Sequence, residues 1–327
     1  MNSRQSHLTV WRWVLAGAAA SATFLHAEEA RFAKPVVLPN REVALGFTAS
    51  NGTVYRIDTS KTLTSWLSMV SFPVAGGGIQ HTDTAAPFAS HSFYLAQQLT
   101  GSNLLTGDHL PTASGDVVIH PVNHASFALG WSNKVIYVDP ANNSFAGLPK
   151  ADLILFTHEH GDHFNQPALA GLTNTGAKVC ATLKVYSLLS ASLRSLTTAL
   201  THGASTNFFG IQIEAMPAYN LTSAFHSKGT NNNGYVLTIG GKRLYVPGDT
   251  EDTPEMRGLT NIDVAFLPMN QPYTMTVSQG VSAVNAFLPK IVYPFHYQPS
   301  TVTTDLNRFK QQVASNGVTE VRLRKWY

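Results

Sequence analysis

The densest run of chemistry-bearing side chains is Thr157-His158-Glu159-His160-Gly161-Asp162-His163. Imidazole and carboxylate are the donors that zinc, manganese and iron take in catalytic sites. Gly161 lets the backbone turn sharply, so side chains on either side of it can point at two different ions. In a chain with thirteen histidines and eleven aspartates, chance assembly of His-x-His-x-Asp-His is on the order of one in fifteen hundred. A plain solvated loop is therefore a weak reading. Further donors close later apolar runs: Asp249 follows 244–248 and His296 follows 291–295. His226 lies in the loop after the run 211–216, and His202 is its rival as the donor between His163 and Asp249. His120 and His124, on either side of Pro121, read as hydrogen-bonded structural histidines, with substrate contact as the alternative. His81, His91 and His109 have no metal-like context.

Such a donor set can support hydrolysis. Two dications sharing a water lower its pKa from about 15.7 to about 7, so a bridged hydroxide can attack a carbonyl carbon or a phosphorus at neutral pH. Asp162 is the candidate to orient the nucleophile and carry a proton to the leaving group, a role that competes with ligation. Lys228 is the candidate to hold an anionic substrate group, and Tyr273 to donate to the developing oxyanion. A solvated lysine and a packed tyrosine are the plain alternatives. Thr157 and Thr250 are candidates to orient the histidines.

These side chains need an α/β scaffold. From residue 116 onward strand-like and helix-like runs alternate. The apolar run 153–156 reads as a buried strand feeding the histidine loop, and Asn165-Gln166-Pro167 as a helix start. Gly240-Gly241 between two strand-like runs predicts a hairpin. Val281, Val284 and Phe287, and Leu306, Phe309 and Val313, have helical spacing. Residues 105–327 are thus expected to form one α/β domain with a sizeable core. Residues 28–104 instead hold short alternating runs separated by Asn51-Gly52 and Gly76-Gly77-Gly78, the pattern of a small antiparallel β-sandwich. Trp66 there is expected in the core, with a sugar-stacking platform as the alternative. Cys180 lies in an apolar run and reads as a small buried hydrophobe.

His-x-His-x-Asp-His, the later Gly248-Asp249-Thr250 and a final strand ending in His296 resemble the metallo-β-lactamase superfamily over about residues 108–327. Tyr219-Asn220, Phe225-His226-Ser227-Lys228-Gly229, Pro254-Glu255-Met256, Tyr273-Thr274-Met275 and Pro294-Phe295-His296-Tyr297 resemble its branch related to L-ascorbate-6-phosphate lactonase. The resemblance implies a four-layer αββα sandwich behind the small all-β domain. It also implies two ions: one held by His158, His160 and His226, the other by Asp162, His163 and His296, with Asp249 bridging. Zinc is the first expectation, manganese and iron the alternatives. True β-lactamases of the superfamily commonly place a cysteine at the second metal; here Asp249 stands there, which lowers an antibiotic-hydrolysing reading. The implied activity is cleavage of a lactone, ester or amide bond of a small molecule. A phosphodiester is the alternative on the same site. From another class, a non-catalytic binding protein with a structural metal would need a closed, saturated site. The N-terminal part loosely resembles a small β-module of secreted bacterial proteins, for which glycan binding is a weak reading.

The chain has 327 residues, is 44% hydrophobic and 13% charged, and has one cysteine. That excludes a disordered chain and a disulfide scaffold. Residues 1–27 read as a signal peptide: Arg4 and Arg12, an uncharged run 13–25, then Ala27 before Glu28-Glu29. The run is shorter than the ~20 residues a bilayer span needs. The expected location is therefore exported, periplasmic or secreted, with an N-terminal anchor as the alternative. Removing Arg4 and Arg12 from the 22 basic residues leaves 20 against 19 acidic. So even a charge balance gives no reason to invoke nucleic acid or anionic lipid.

Overall fold

The computed structural model describes residues 30–101, 104–141, 143–169, 171–297 and 304–326. The expected leader, 1–27, lies outside the described residues. The described residues divide into two compact units, one within 30–101 with 106–111 and the other within 104–105 with 112–326.

The N-terminal unit is built from antiparallel strands. Val43–Thr48 pairs with Arg31–Phe32, Val36–Val37 and Gly78–Asp83. Val54–Ser60 pairs with Leu67–Pro73 and Phe93–Leu99, and Gly107–Leu110 adds to Leu67–Pro73. Alternation sets the core: Val43, Leu45 and Phe47 from one sheet meet Ile57, Val70 and Phe72 from the other. Trp66 departs from its expected core position. It is half-buried, outside that cluster, and its indole N–H donates to the Leu63 carbonyl at 3.2 Å. Trp66 sits just before the Leu67–Pro73 strand begins, so no pleat turns it inward.

The larger unit holds two sheets. In the first, Val117–Asn123, Ser126–Trp131 and Lys134–Val138 run antiparallel, and Ala151–Leu155, Thr173–Ala181 and Thr197–Ala199 continue in parallel. The second follows the same plan. Ser205–Phe208, Ile211–Ala218, Asn232–Ile239 and Lys242–Val246 are antiparallel, and Val264–Pro268, Ile291–Phe295 and Glu320–Val321 are parallel. The Gly240-Gly241 hairpin joins two of these strands as expected. Ala151–Leu155, Val264–Pro268 and Ile291–Phe295 are buried at every position. Parallel strands covered on both faces read as continuous apolar runs for this reason.

Alternate side chains sort into layers. Tyr137, Ile154, Val179 and Ala181 pack with Val185 and Leu189 on the helix side of the first sheet. Tyr245, Ala265, Leu267 and Val292 pack under Ala283, Val284 and Phe287 of the helix Val277–Phe287 and under Phe309 and Val313 of Leu306–Ala314. Between the sheets Phe127 stacks on Phe266 at 4.2 Å, with Phe295 and Trp326 edge-on. The order is helix, sheet, sheet, helix. Thr276 and Gln279 form a capping box at the start of Val277–Phe287, and Leu288 ends that helix in the left-handed region. The helix expected from residue 165 is instead a single 3-10 turn, Gln166–Leu169. The strand Thr173–Ala181 begins too soon after it for a second turn to form. Cys180 is fully buried in that strand, and burial pushes its thiol up to about 12.

Candidate metal centre

The donors sit where strands end. Thr157 to His163 leave Ala151–Leu155, Asp249 follows Lys242–Val246, and His296 follows Ile291–Phe295. Four residues of the centre have left-handed backbone: His124 (φ 52°), Asp139 (45°), His226 (52°) and His296 (47°). Each costs on the order of 1–3 kcal/mol, which the surrounding hydrogen bonds must hold in place. Gly248 has φ +66°, and a Cβ there would stand 2.8 Å from the Asn233 carbonyl oxygen. Only glycine delivers Asp249 by this path.

Three sets of side chains converge: His158, His160 and His226; His158, His163 and Asp249; and His124, Asp162 and His296. His160 turns Nδ1 inward, 3.1 Å from His158 Nε2 and 3.0 Å from His226 Nε2. Asp249 lies between the halves, with Oδ2 3.4 Å from His226 Nε2 and Oδ1 3.3 Å from His163 Nε2 and 3.4 Å from His296 Nε2. Asp162 Oδ2 is 3.4 Å from His296 Nε2 and 3.8 Å from His163 Nε2.

The outer nitrogens of three rings are held by fixed acceptors. Asp139 Oδ2 accepts from His163 Nδ1 at 2.8 Å and from the Thr157 hydroxyl at 2.7 Å, while Oδ1 accepts from the Thr157 amide at 2.8 Å. Thr157 Oγ1 in turn meets His158 Nδ1 at 3.0 Å. The Tyr273 carbonyl accepts from His226 Nδ1 at 3.1 Å and from Asn220 Nδ2 at 2.7 Å. Protons placed outward leave the inner nitrogens with lone pairs.

This geometry fits bound cations. His163 and His296 bring Nε2 to Nε2 at 3.1 Å. Asp249 Oδ1 is buried and accepts no hydrogen bond, although two imidazole nitrogens stand beside it. Lone pairs converging on a buried carboxylate oxygen are unfavourable without a positive charge among them. Without an ion, the balancing charge falls to the ring of His163. Burial raises the carboxyl of Asp249, but the His296 and His163 rings hold it well below the usual range. Burial raises Asp162 too, and hydrogen bonds from His124 and His296 bring it far below. Burial keeps His158 and His226 neutral. His163 is lowered by burial but lifted above its ordinary value by Asp249 and Asp139. One side is open: His160 is exposed and the Asp162 side chain is 45% accessible. An open side is the mark of a catalytic rather than a closed structural site.

A family model described as a beta-lactamase superfamily domain matches residues 118–296. The chain belongs to the metallo-β-lactamase superfamily. Within the superfamily it is a metal-dependent hydrolase. A UPF0173 metal-dependent hydrolase from Thermococcus onnurineus is 31% identical over 208 residues, covering 60% of this chain and 92% of that protein. The crystal structure of a protein assigned as a metal-dependent hydrolase from Parabacteroides distasonis is 38% identical and covers 68% of this chain and 100% of its own, with a TM-score of 0.59. Igni18, a metallo hydrolase from Ignicoccus hospitalis, is 27% identical, with coverage of 64% and 95% and a TM-score of 0.55.

In this superfamily frame the seven expected donors, His158, His160, Asp162, His163, His226, Asp249 and His296, all lie in the converging sets. His202 does not; its Nε2 meets the Asn232 carbonyl at 3.0 Å. Tyr273 reaches the centre through its carbonyl, while its ring packs edge-on to Phe225 at 4.6 Å. Lys228 is 68% exposed and lies 3.3 Å from the Tyr219 hydroxyl and 3.5 Å from Glu255. Thr157 orients histidines, whereas Thr250 donates to the carbonyls of Tyr219 and Glu251. His120 lies in Val117–Asn123 opposite Ala128.

Sequence reasoning missed Asp139, Asn220 and Glu251. Asp139 carried a signal, since it ends an apolar run as Asp249 does. Asn220 Nδ2 donates to the Phe225 carbonyl at 2.9 Å, closing the loop that carries His226. Glu251 grips the same loop, accepting from the amides of Leu221 and Thr222 at 2.7 Å each and from the Thr222 hydroxyl at 2.7 Å.

Proposed function

We propose that this metal-dependent hydrolase holds two divalent ions, zinc first among them, and cleaves a lactone, ester or amide bond of a small molecule. The observation that carries the two-ion reading is the placement of Asp249. Its Oδ2 faces His226 and its Oδ1 faces both His163 and His296. His158, His160 and His226 would hold one ion, Asp162, His163 and His296 the other, and Asp249 both. Such ions supply Lewis acidity toward a substrate oxygen and acidify water to a pKa of about 7.

The chain's own residues do the rest. Asp139, Thr157 and the Tyr273 carbonyl hold their histidines in the tautomer that presents a lone pair inward. Asp162, exposed on the open side, is the candidate to orient the attacking group and to carry a proton to the leaving group, a role that competes with holding the ion. Lys228, exposed and two residues beyond His226, supports binding of an anionic group on the substrate. The acyl preference rests on the branch resemblance of 219–229 and 248–256.

Elemental mass spectrometry of the purified chain tests the centre. About two equivalents of metal are expected, and fewer in Asp249→Ala. A parent with less than one equivalent, unmoved by added zinc or manganese, would refute it. Acyl-lactones assayed against bis(p-nitrophenyl) phosphate then test the bond. Turnover of the phosphodiester alone would replace the acyl reading with the phosphodiesterase one. A double change of Asp162 and His163 to alanine should abolish turnover in a folded protein.

A further inference from the structure

One histidine at the centre belongs to neither expected ligand set. His124 Nε2 lies 3.2 Å from Asp162 Oδ2, and its ring lies against that of His296 with centroids 4.0 Å apart. We propose that His124 is a positioning residue for the second ion, donating from Nε2 to Asp162 and so fixing the direction of that carboxylate.

Several observations point to a built position. His124 and Ala125 make the two-residue turn between Val117–Asn123 and Ser126–Trp131, and φ 52° at His124 suits the primed turns that join antiparallel strands. Its backbone is tied at both ends: its amide donates to the Trp326 carbonyl at 3.1 Å, and its carbonyl accepts from the His296 amide at 3.2 Å. Trp326 is itself fully buried, packed against Phe295 at 5.5 Å and Phe127 at 5.9 Å. The imidazole is therefore anchored to the aromatic core between the sheets and to the neighbouring ligand at once. Asp162 needs such a partner. Its side chain is 45% accessible, and a carboxylate free to rotate would lose the ordering that a ligand requires.

The rival role for His124 is that of a direct ligand. His124 joins a converging set with Asp162 and His296, while His163 and Asp249 converge with His158. Its ring is tilted against that of His296, with 43° between the planes. The 3.2 Å between His124 Nε2 and Asp162 Oδ2 is the separation of a hydrogen bond to a ligand oxygen, which favours the positioning role.

The inference rests on the two-ion reading, and one experiment distinguishes their failures. The full chain is stripped with chelator and titrated with cobalt(II), following both binding heat and the visible ligand-field bands. His124→Phe keeps a ring against His296 and removes the donor; His124→Gln keeps a donor nitrogen at similar reach. The second equivalent is expected to bind ~10–100-fold more weakly in His124→Phe, with its bands altered and the first equivalent unchanged. His124→Gln should recover most of the affinity and the parental bands. If the parent takes up a single equivalent, the two-ion reading fails and this one with it. Parental affinity and bands in a folded His124→Phe would overturn the positioning role alone. Equal weakening of both equivalents, or a His124→Gln variant as weak as His124→Phe, would overturn it too. Far-UV circular dichroism of both variants establishes folding.

Discussion

Asp139 shows how much one buried carboxylate can organise. It is 2% exposed and meets the Thr157 amide, the Thr157 hydroxyl and His163 Nδ1. Asp139→Asn must turn an amide N–H toward one of those donors. Metal affinity in a competition titration with a chromophoric chelator is expected to fall ~10–100-fold; an unchanged affinity would remove Asp139 from the support of His163. Gly248 makes the complementary case through absence of a side chain. Gly248→Ala places a Cβ 2.8 Å from the Asn233 oxygen and 3.0 Å from Thr157 Cβ at φ +66°. The expected loss is about 1–3 kcal/mol in urea unfolding, together with reduced metal uptake, because the strained segment carries Asp249.

Between residue and fold, the loop that bears His226 is held by a neighbouring segment rather than by its own sequence. Glu251 is 3% exposed and accepts from three consecutive residues, Leu221, Thr222 and Ser223. Glu251→Ala strands those donors, a local cost of about 1–3 kcal/mol. Amide exchange at 221–225 should accelerate while exchange in Val264–Pro268 does not; uniform acceleration would mean that Glu251 supports the whole unit. A strand end supplies the pH dependence. Asp263 precedes Val264–Pro268, accepts from the Arg243 amide at 3.0 Å and meets Lys290 Nζ at 2.8 Å. Burial raises its carboxyl, and Lys290 and Arg243 bring it below the usual value. A carboxyl depressed on folding stabilises the native state above its unfolded pKa of about 3.9. That contribution disappears as pH falls through the lower folded value. The gap in urea midpoint between parent and Asp263→Asn should therefore be full at pH 7 and narrow below about pH 4. A gap that holds constant down the titration would count against this account.

Across the whole larger unit the centre is a clamp. His158, His160 and His163 leave the first sheet, while His226, Asp249 and His296 belong to the second. Ions bound between them would tie the two sheets together at one end, beyond what Phe127 on Phe266 does within the core. Ligands that bind only the folded state add stability, about 2.7 kcal/mol at a hundredfold excess over Kd. Chelation is expected to lower the calorimetric melting temperature of the full chain, and zinc to restore it. A melting temperature indifferent to chelator would mean that the donors hold no ion in solution.

The parts readable in the linear chain are those that covalent neighbourhood or period imposes. His158, His160, Asp162 and His163 are near one another because one loop contains them, whatever the rest of the fold does. The buried runs 153–156 and 291–295 announce parallel strands because both faces must be apolar, and the Gly240-Gly241 turn announces its hairpin. Asp139, Glu251 and His124 were not legible in the same way. His124 meets Asp162 across 38 positions and His163 meets Asp139 across 24. Such pairs depend on sheet register and on where each strand stops, which no local pattern encodes. Trp66 failed for a related reason: size and hydrophobicity measure the tendency to be buried, while the start of the adjacent strand decides which way the ring points. Donor types are a property of the chain, but their orientation, tautomer and strain arise only when the strand ends of two sheets meet.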